Sequence, residues 1–429
     1  MAWPVRYKLV GLLTAGSTIN YADRVNISVA APVMMATLGW NEAQFGVVFS
    51  SFLVGYTLLQ IPGGVIADRW SACKLLALAC IGFSVFTALT PLGALAFGLM
   101  LAIRFCVGVF ESVSFPAYAS LNSRWIPRSE YSRAQTLSLS GAYLGQTLSY
   151  PLTTWLVLTF SWPMAFYFNA FLGVVWLVAW LVFATNTPAE HPRISAAELQ
   201  EIEAHLAPRP SVAVSPWAVV KAPQVLLLSL SYLLLVYGLW MIVFWLPTYM
   251  VKARGFSMQT MGWLGMIPTL ASFAGLTSGG VLSDALLRRG FSTRFARAQG
   301  PSLCMALGVP FLVAAVLVPW ASVSVTCLAA YLFLGNIAGG GYWSIPLELN
   351  SRAVGAISGV MNCAGNFAGI FGPMTAGFLI TATGNWALPF LVVAGFAVAS
   401  SVVFYFLVVP APIEVTARLP QTVAREARV

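Results

Sequence analysis

Charge is what this chain has least of. Only 8% of its residues are Asp, Glu, Lys or Arg, against about 25% in a soluble domain, while 59% are hydrophobic. That scarcity excludes a globular fold bathed in water. The only two histidines, His191 and His205, share one polar stretch and read as solvent-exposed surface residues. The six cysteines (Cys73, Cys80, Cys106, Cys304, Cys327 and Cys363) form no C-x-x-C pair, so neither a disulfide framework nor a metal site is implied. There is no Gly-x4-Gly-Lys-Ser/Thr loop, no sizeable soluble segment and no nucleophile constellation. Their absence argues against an ATP-driven pump and a membrane enzyme, and no cofactor is expected.

Long apolar runs are what the chain has instead. Twelve span roughly 9–36, 42–67, 73–92, 94–122, 132–159, 163–185, 223–250, 257–286, 297–319, 322–346, 355–382 and 386–409. Helices are expected, because lipid cannot satisfy a free backbone and a barrel would show short alternating segments. With twelve spans both ends lie on one side. That side carries eighteen of the 22 Lys and Arg, and the other only Lys252 and Arg254. The bias places both termini in the cytoplasm of a multi-pass protein of the cell (inner) membrane. The net charge of +9 is thus a topology signal, and no nucleic-acid partner is implied. The first run is too long for a cleaved leader and is expected to stay as an anchor.

The longest polar stretch, 186–222, splits the spans six and six. The expected domains are residues 1–185, a cytoplasmic linker 186–222, and 223–429. Prolines keep most of the linker irregular, but Ser195 and Glu198 form a capping box before a short surface helix near 196–206. The halves echo each other: Gly64-x3-Asp68-Arg69 follows span 2, and Gly280-x3-Asp284 follows span 8, with Arg288 and Arg289 after it. Such a repeat indicates duplication, so the expected fold is all-α, two pseudo-symmetric six-helix bundles around a central cavity. Asp68, Arg69, Asp284 and Arg288 are candidates for ion pairs that gate its cytoplasmic side.

Four ionisable residues lie inside the spans: Asp23, Arg24, Arg104 and Glu111. Each costs about 2.5–3.5 kcal/mol at mid-helix on insertion scales. Arg104 and Glu111, seven apart, share a helix face, and Gly108 between them would leave room beside both. Asp23 and Arg24 diverge by about 100°. Asp23 lies at a level between the two span-4 charges, so it is expected to pair with Arg104, with Arg24 and Glu111 bordering the cavity. An arginine grips a carboxylate bidentately, and a carboxylic acid in a low-dielectric cavity can exchange its proton near neutrality. Proton binding would free an arginine for an anion. A static ion-pair brace between spans 1 and 4 is the structural alternative.

The second half has no charge at mid-membrane. Its polar candidates are Asn336, Ser344, Asn362 and Asn366, with Tyr342 and Trp343 beside them, and amides and hydroxyls suit a polyhydroxylated solute. They could equally glue helices together. Tyr21, Tyr56 and Gln146 are further candidates from the first half. For motion, Pro62, Pro116, Pro151, Pro247, Pro268, Pro346 and Pro373 would interrupt spans. The pairs Gly141/Gly145, Gly355/Gly359 and Gly365/Gly369 would permit close helix contacts.

These motifs resemble the major facilitator superfamily. Segments along the whole chain are similar to its anion:cation symporter branch. They are Asn20-Tyr21-Ala22-Asp23-Arg24, Tyr56 before Gln60-Ile61-Pro62-Gly63-Gly64, Arg104-Phe105-x-x-Gly108-x-x-Glu111, Trp245-Leu246-Pro247-Thr248-Tyr249, and the span-11 set Gly359, Asn362, Gly365 and Asn366. The loop after span 2 departs from the signature, with Ser71, Ala72, Cys73 and Lys74 at its end. The resemblance implies a monomeric secondary transporter that imports an organic anion, such as a sugar acid, with one or two protons. Arg24 would meet the substrate carboxylate, Asp23 and Glu111 would carry protons, and Arg104 would hold and release Asp23. Spans 10 and 11 would contact sugar hydroxyls. Carriers of aromatic or dicarboxylic acids use the same scaffold. A drug/proton antiporter would show a Gly-Pro signature in span 5 that is absent around Gly141–Gln146, and a non-transporting receptor is the alternative of a different class.

Overall fold

The computed structural model describes residues 4–127, 130–205, 221–350 and 353–413, except for the side chains at positions 61, 64, 65, 68, 69 and 132. Every regular element among the described residues is helical. Spans 1 to 3 are Val5–Leu38, Glu42–Arg69 and Ala72–Leu89, the last extended by a 3-10 turn. Span 4 is the pair Phe97–Glu111 and Ser114–Trp125; spans 5 and 6 are Tyr131–Thr159 and Trp162–Phe183. After the linker helix Ala196–His205, span 7 is Pro223–Thr248 with a wide turn Tyr249–Ala253, and span 8 is the pair Met258–Leu264 and Met266–Arg288. Spans 9 to 12 are Gly300–Leu317, Ala321–Leu349, Val354–Thr383 and Ala387–Val402. The protein is an all-α membrane protein, and ten of these stretches are long and apolar enough to cross a bilayer.

Spans 1 and 5 fall outside those ten because of their polarity, not their length of 34 and 29 residues. They are packed on each other. An added Cβ at Gly141 or Gly145 would collide with the carbonyls of Thr14 or Thr18. Thr14 Oγ1 donates to the Leu137 carbonyl at 3.1 Å, and Ser149 Oγ donates to the Ala22 carbonyl at 3.1 Å. Small residues and hydrogen bonds between helices replace the hydrophobic drive that lipid does not supply. Spans 2 and 4 cross in the same way. Gly55 lies against the Phe105 carbonyl and Gly108 against the Phe52 carbonyl. Gly108 therefore opens no room beside the charges of span 4; the backbone of span 2 fills it. Gly275 and Gly279 of span 8 lie against the carbonyls of Phe333 and Ile337 in span 10. The expected pair Gly355/Gly359 has no close neighbour, whereas Gly365 lies under the Tyr232 ring.

Only two of the seven prolines coincide with a broken helix. Pro116 cannot donate to the Ser112 carbonyl, and span 4 breaks at Ser112–Val113; Pro268 does the same to Leu264, and span 8 breaks at Gly265. Pro62, Pro151, Pro247, Pro346 and Pro373 stay inside continuous helices.

By packing, the chain groups into two compact units that cut across its sequence halves. The first takes Met1–Ala207, Trp240–Leu270 and Ile370–Leu388; the second takes the rest. Within the first, the ends of spans 2, 7 and 11 farthest from the termini are tied together. Ser50 Oγ donates to the Ile370 carbonyl at 2.6 Å, Trp245 Nε1 to the Pro373 carbonyl at 2.9 Å, and Lys252 pairs with Glu42 at 2.7 Å. Gly377 and Gly46 let these backbones meet.

The linker helix also belongs to this unit. Ser195 Oγ caps Glu198 N at 3.1 Å, but the Glu198 carboxylate does not complete the expected box. It accepts instead from Val5 N and Arg6 N, at 3.1 and 3.0 Å, satisfying donors at the start of span 1. Arg6 then holds Glu201 through two hydrogen bonds of 2.9 and 3.0 Å and lies 3.2 Å from Glu130. His191 is not on the surface as expected. It is buried, with its ring 4.9 Å from Phe183 and 5.8 Å from Trp125, and burial pushes its imidazole below the usual range. His205 is exposed.

Candidate functional site

The four intramembrane charges are all buried in the first unit, and Arg24 and Arg104 are wholly unexposed. Arg24 faces span 4 and pairs directly with Glu111. Its Nη2 and Nε donate to Glu111 Oε2 at 2.9 and 3.2 Å, and Nη2 also reaches Asn20 Oδ1 at 3.3 Å. Four rings surround the guanidinium carbon: Tyr21 at 4.3 Å, Tyr56 at 4.4 Å, Phe52 at 5.1 Å and Trp240 at 5.4 Å. Aromatic faces are the apolar surfaces that best tolerate a cation. Tyr21 is itself stacked on Phe115 at 5.6 Å.

The expected partnership of Asp23 with Arg104 is not formed. Asp23 Oδ2 accepts a 2.6 Å hydrogen bond from Thr87 Oγ1 of span 3. No nitrogen of Arg104 makes a hydrogen bond, and its guanidinium stands 5.3 Å from the Phe52 ring. A short hydroxyl on a third helix takes one oxygen of the carboxylate, and the arginine takes neither. Charge still couples the two residues through space. The cluster is thus poised, not closed. Asp23 Oδ1, Glu111 Oε1, Arg24 Nη1 and Asn20 Nδ2 are buried without hydrogen-bond partners, and Trp240 Nε1 is another such donor. Buried polar atoms left in this condition call for a water, a ligand or a mobile proton.

Gln146 of span 5 is half-buried. The second-half candidates lie in the other unit. Ser344 Oγ bends back to the Gly340 carbonyl at 2.8 Å, and Asn366 Nδ2 donates to the Asn362 carbonyl at 3.0 Å. Asn336 Nδ2 likewise bonds its own helix, at Leu332 O. Trp343 is 49% exposed, with its ring 6.2 Å from Tyr232. Of the candidate gating residues, Asp284 pairs with Arg297 at 3.0 Å, and Arg297 lies 3.7 Å from Glu348. Arg288 is exposed. Arg297 lies in the wide turn Phe295–Gln299 just before span 9. The side chains of Asp68 and Arg69 lie outside the described residues. Near them, Arg124 Nη2 donates to the Ala67 carbonyl at 3.0 Å.

Sequence reasoning missed Thr87, Phe52 and Trp240. None stands next to a charge in the chain, and only packing brings them to one. The sole available signal was the register of Phe52, four residues before Tyr56 on one helix face.

Residues 13–373 match the Major Facilitator Superfamily. The chain is 31% identical over 391 residues to a probable sulfoacetate transporter of Cupriavidus necator, covering 90% of each. It is 31% identical over 398 residues to the hexuronate transporter of Bacillus subtilis, covering 91% of each. In fold it is similar to a crystal structure of a bacterial homolog of the human lysosomal transporter Spinster, with a TM-score of 0.79 at 17% identity, covering 95% of this chain and 97% of that one. With the helical architecture and these matches together, the chain is a transporter and no enzyme, and it belongs to the major facilitator superfamily, in the anion:cation symporter branch.

Proposed function

We propose that the protein imports an organic anion, a sugar acid such as an aldonate, aldarate or hexuronate, by proton symport through alternating access. It does so as a monomer in the cell (inner) membrane, with both termini in the cytoplasm. The observation that carries the reading is the Arg24–Glu111 pair, 2.9 Å apart and almost completely buried. A proton on Glu111 removes the charge that holds Arg24. The guanidinium, still inside its box of rings, then needs another anion, and a solute carboxylate supplies one. Proton and anion favour each other's binding, as symport requires. Asp23 is the second proton site, and Arg104 balances it.

Energetics fit this scheme. A negative charge entering a negative cell costs about 2.3 kcal/mol per 100 mV; one proton cancels that for a monoanion and two make the potential a driving force. The names of the relatives support an organic anion in general: one is a hexuronate transporter and another a probable sulfoacetate transporter. Sugar acids are favoured by the candidate contacts Tyr21, Tyr56 and Gln146 of the first unit, which add hydroxyl and amide groups to the arginine. Asp68, Arg69, Asp284 and Arg288 serve the cytoplasmic gate, with Arg297 holding Asp284.

The test is uptake of a panel of organic acids into proteoliposomes at two pH values, with and without sodium. Arg24→Ala is expected to lose about 100-fold in apparent affinity, the worth of one charge-assisted carboxylate contact. Glu111→Gln is expected to exchange substrate across the membrane without concentrating it. Normal accumulation by Glu111→Gln rejects the coupling scheme, and undiminished affinity in Arg24→Ala rejects the anion site.

A further inference from the structure

The turn between spans 8 and 9 carries arginines for which the second unit has no acid to spare. Among the described residues that unit sets Lys221 and four arginines against two acids, Asp284 and Glu348. Both acids lie on Arg297, at 3.0 and 3.7 Å. Arg288 and Arg289 are exposed, and neither side chain has a partner among the described residues. Arg294 is tied to the end of span 12: its Nη2 donates to the Phe406 carbonyl at 2.9 Å, and its Nε is buried with no hydrogen-bond partner. The turn itself is tightly built. Gly290, at φ 83°, ends span 8 in the left-handed region, and Phe291 N donates to the Leu286 carbonyl at 3.1 Å. Ser292 Oγ accepts from Phe295 N at 3.2 Å, and the Phe291 ring stacks on Phe295 at 5.3 Å. Apolar side chains stand open beside these cations: Phe291 is 48%, Phe406 62% and Leu407 47% exposed.

We propose that this turn binds the headgroup of an anionic phospholipid in the leaflet on the side of the termini. Arg289 and Arg294 flank the turn, and a guanidinium meets a phosphate through paired N–H donors. Arg294 is the anchor. Its bond to the Phe406 carbonyl sets it against the end of span 12, where Phe406 and Leu407 stay exposed. A free phosphate would satisfy the arginines and leave those apolar side chains bare. A lipid answers both, its phosphate meeting the cations and its acyl chains covering Phe406, Leu407 and Phe291. The acids Asp284 and Glu348 are taken by Arg297 and do not compete for Arg289 or Arg294. Arg288, a candidate for the gate, is not needed for the site. The inference goes beyond the transport reading and depends on neither the solute nor the coupled ion.

Native mass spectrometry of the full chain, titrated in detergent with phosphatidylglycerol or with phosphatidylcholine of the same chain length, tests this without a substrate. The wild type is expected to bind one phosphatidylglycerol about 25-fold more tightly than phosphatidylcholine, the worth of two arginines at an anionic headgroup. Arg289→Gln and Arg294→Gln are each expected to weaken phosphatidylglycerol about fivefold and to leave phosphatidylcholine unchanged. Arg193→Gln, which removes an exposed arginine from the linker, should bind like the wild type. The Arg289 side chain has no bond to lose, so a folding defect in Arg294→Gln leaves the test intact. Equal affinity for the two lipids overturns the site, and so does phosphatidylglycerol affinity that is undiminished in Arg289→Gln and in a folded Arg294→Gln. An equal loss in Arg193→Gln overturns it as well, since that marks diffuse attraction to any surface charge. Inorganic phosphate that displaces the lipid as well as short-chain phosphatidylglycerol does would assign the turn to a free anion and reject the lipid.

Discussion

The charged cluster of the first unit and a knot of hydroxyls in the second bury their polar groups in opposite ways. Around Arg24 the hydrogen bonding is incomplete: three nitrogens of Arg104, one of Arg24 and one oxygen on each acid have no partner. In the second unit Ser231, Tyr342 and Ser400 form a closed knot. Ser231 Oγ meets Tyr342 Oη at 2.5 Å, Tyr342 Oη meets Ser400 Oγ at 3.1 Å, and Ser400 Oγ donates to the Ser231 carbonyl at 2.7 Å. Tyr342 also stacks on Phe404 at 4.1 Å within an apolar core. A satisfied network fixes one structure; an unsatisfied one keeps alternatives within reach. On the proposed function, the difference separates a scaffold from a working site.

That contrast can be broken most severely at the ion pair. Glu111→Leu strands the Arg24 charge and is expected to destabilise the protein by about 3–5 kcal/mol, whereas the double change Arg24→Met with Glu111→Leu recovers most of that loss. Thermal melting in detergent measures both, and a double variant as unstable as the single one would make the pair a brace. Gly108→Val, at the crossing of spans 2 and 4, is expected to cost about 1–3 kcal/mol through overpacking. Gly355→Ala, where an added Cβ meets nothing, should change the melting temperature little. Tyr342→Phe is expected to cost about 1–2 kcal/mol, because it removes two buried hydrogen bonds, to Ser231 and Ser400, while the pH profile of uptake stays as it was. A shifted profile would move the second unit's knot from scaffold to machinery.

A smaller effect than at the knot lies at the linker. The hydrogen bond from Arg6 holds the Glu201 carboxyl below its ordinary range. A depressed acid gives stability that is full above its unfolded pKa and fades as pH falls through the folded one. Glu201 is half exposed, so screening keeps this below about 1 kcal/mol. The protection of amides over residues 196–205, measured against their intrinsic exchange rate at each pH, should therefore fall as the pH is lowered through the acid range, and Arg6→Ala should produce that lower protection already at neutral pH.

Much of the fold was legible because lipid makes span length and apolarity a strict code. All twelve runs became helices, with boundaries a few residues from those read in the chain. What the sequence conceals is which helix answers which. By count along the helices Asp23 lies at a level between Arg104 and Glu111, yet the hydroxyl of Thr87 on span 3 takes one oxygen of the carboxylate. His191 looks like a linker surface residue until Trp125 and Phe183 close over it. Gly108 reads as an opening until the Phe52 carbonyl fills it. Each correction comes from a partner distant in the chain, which spacing along one helix cannot supply. The charged residues themselves were plain, because the cost of keeping them in a span marks them at once.

Trp240 has a consequence of its own. Its indole stands 5.4 Å from the Arg24 guanidinium, so the proposed swap of a fixed carboxylate for a dissolved one would change the field across the ring. Indole emission shifts in colour with such fields. With the other fourteen of the chain's 15 tryptophans replaced by phenylalanine, the fluorescence of this single ring would register each filling and emptying of the guanidinium as it happens, with no dye attached.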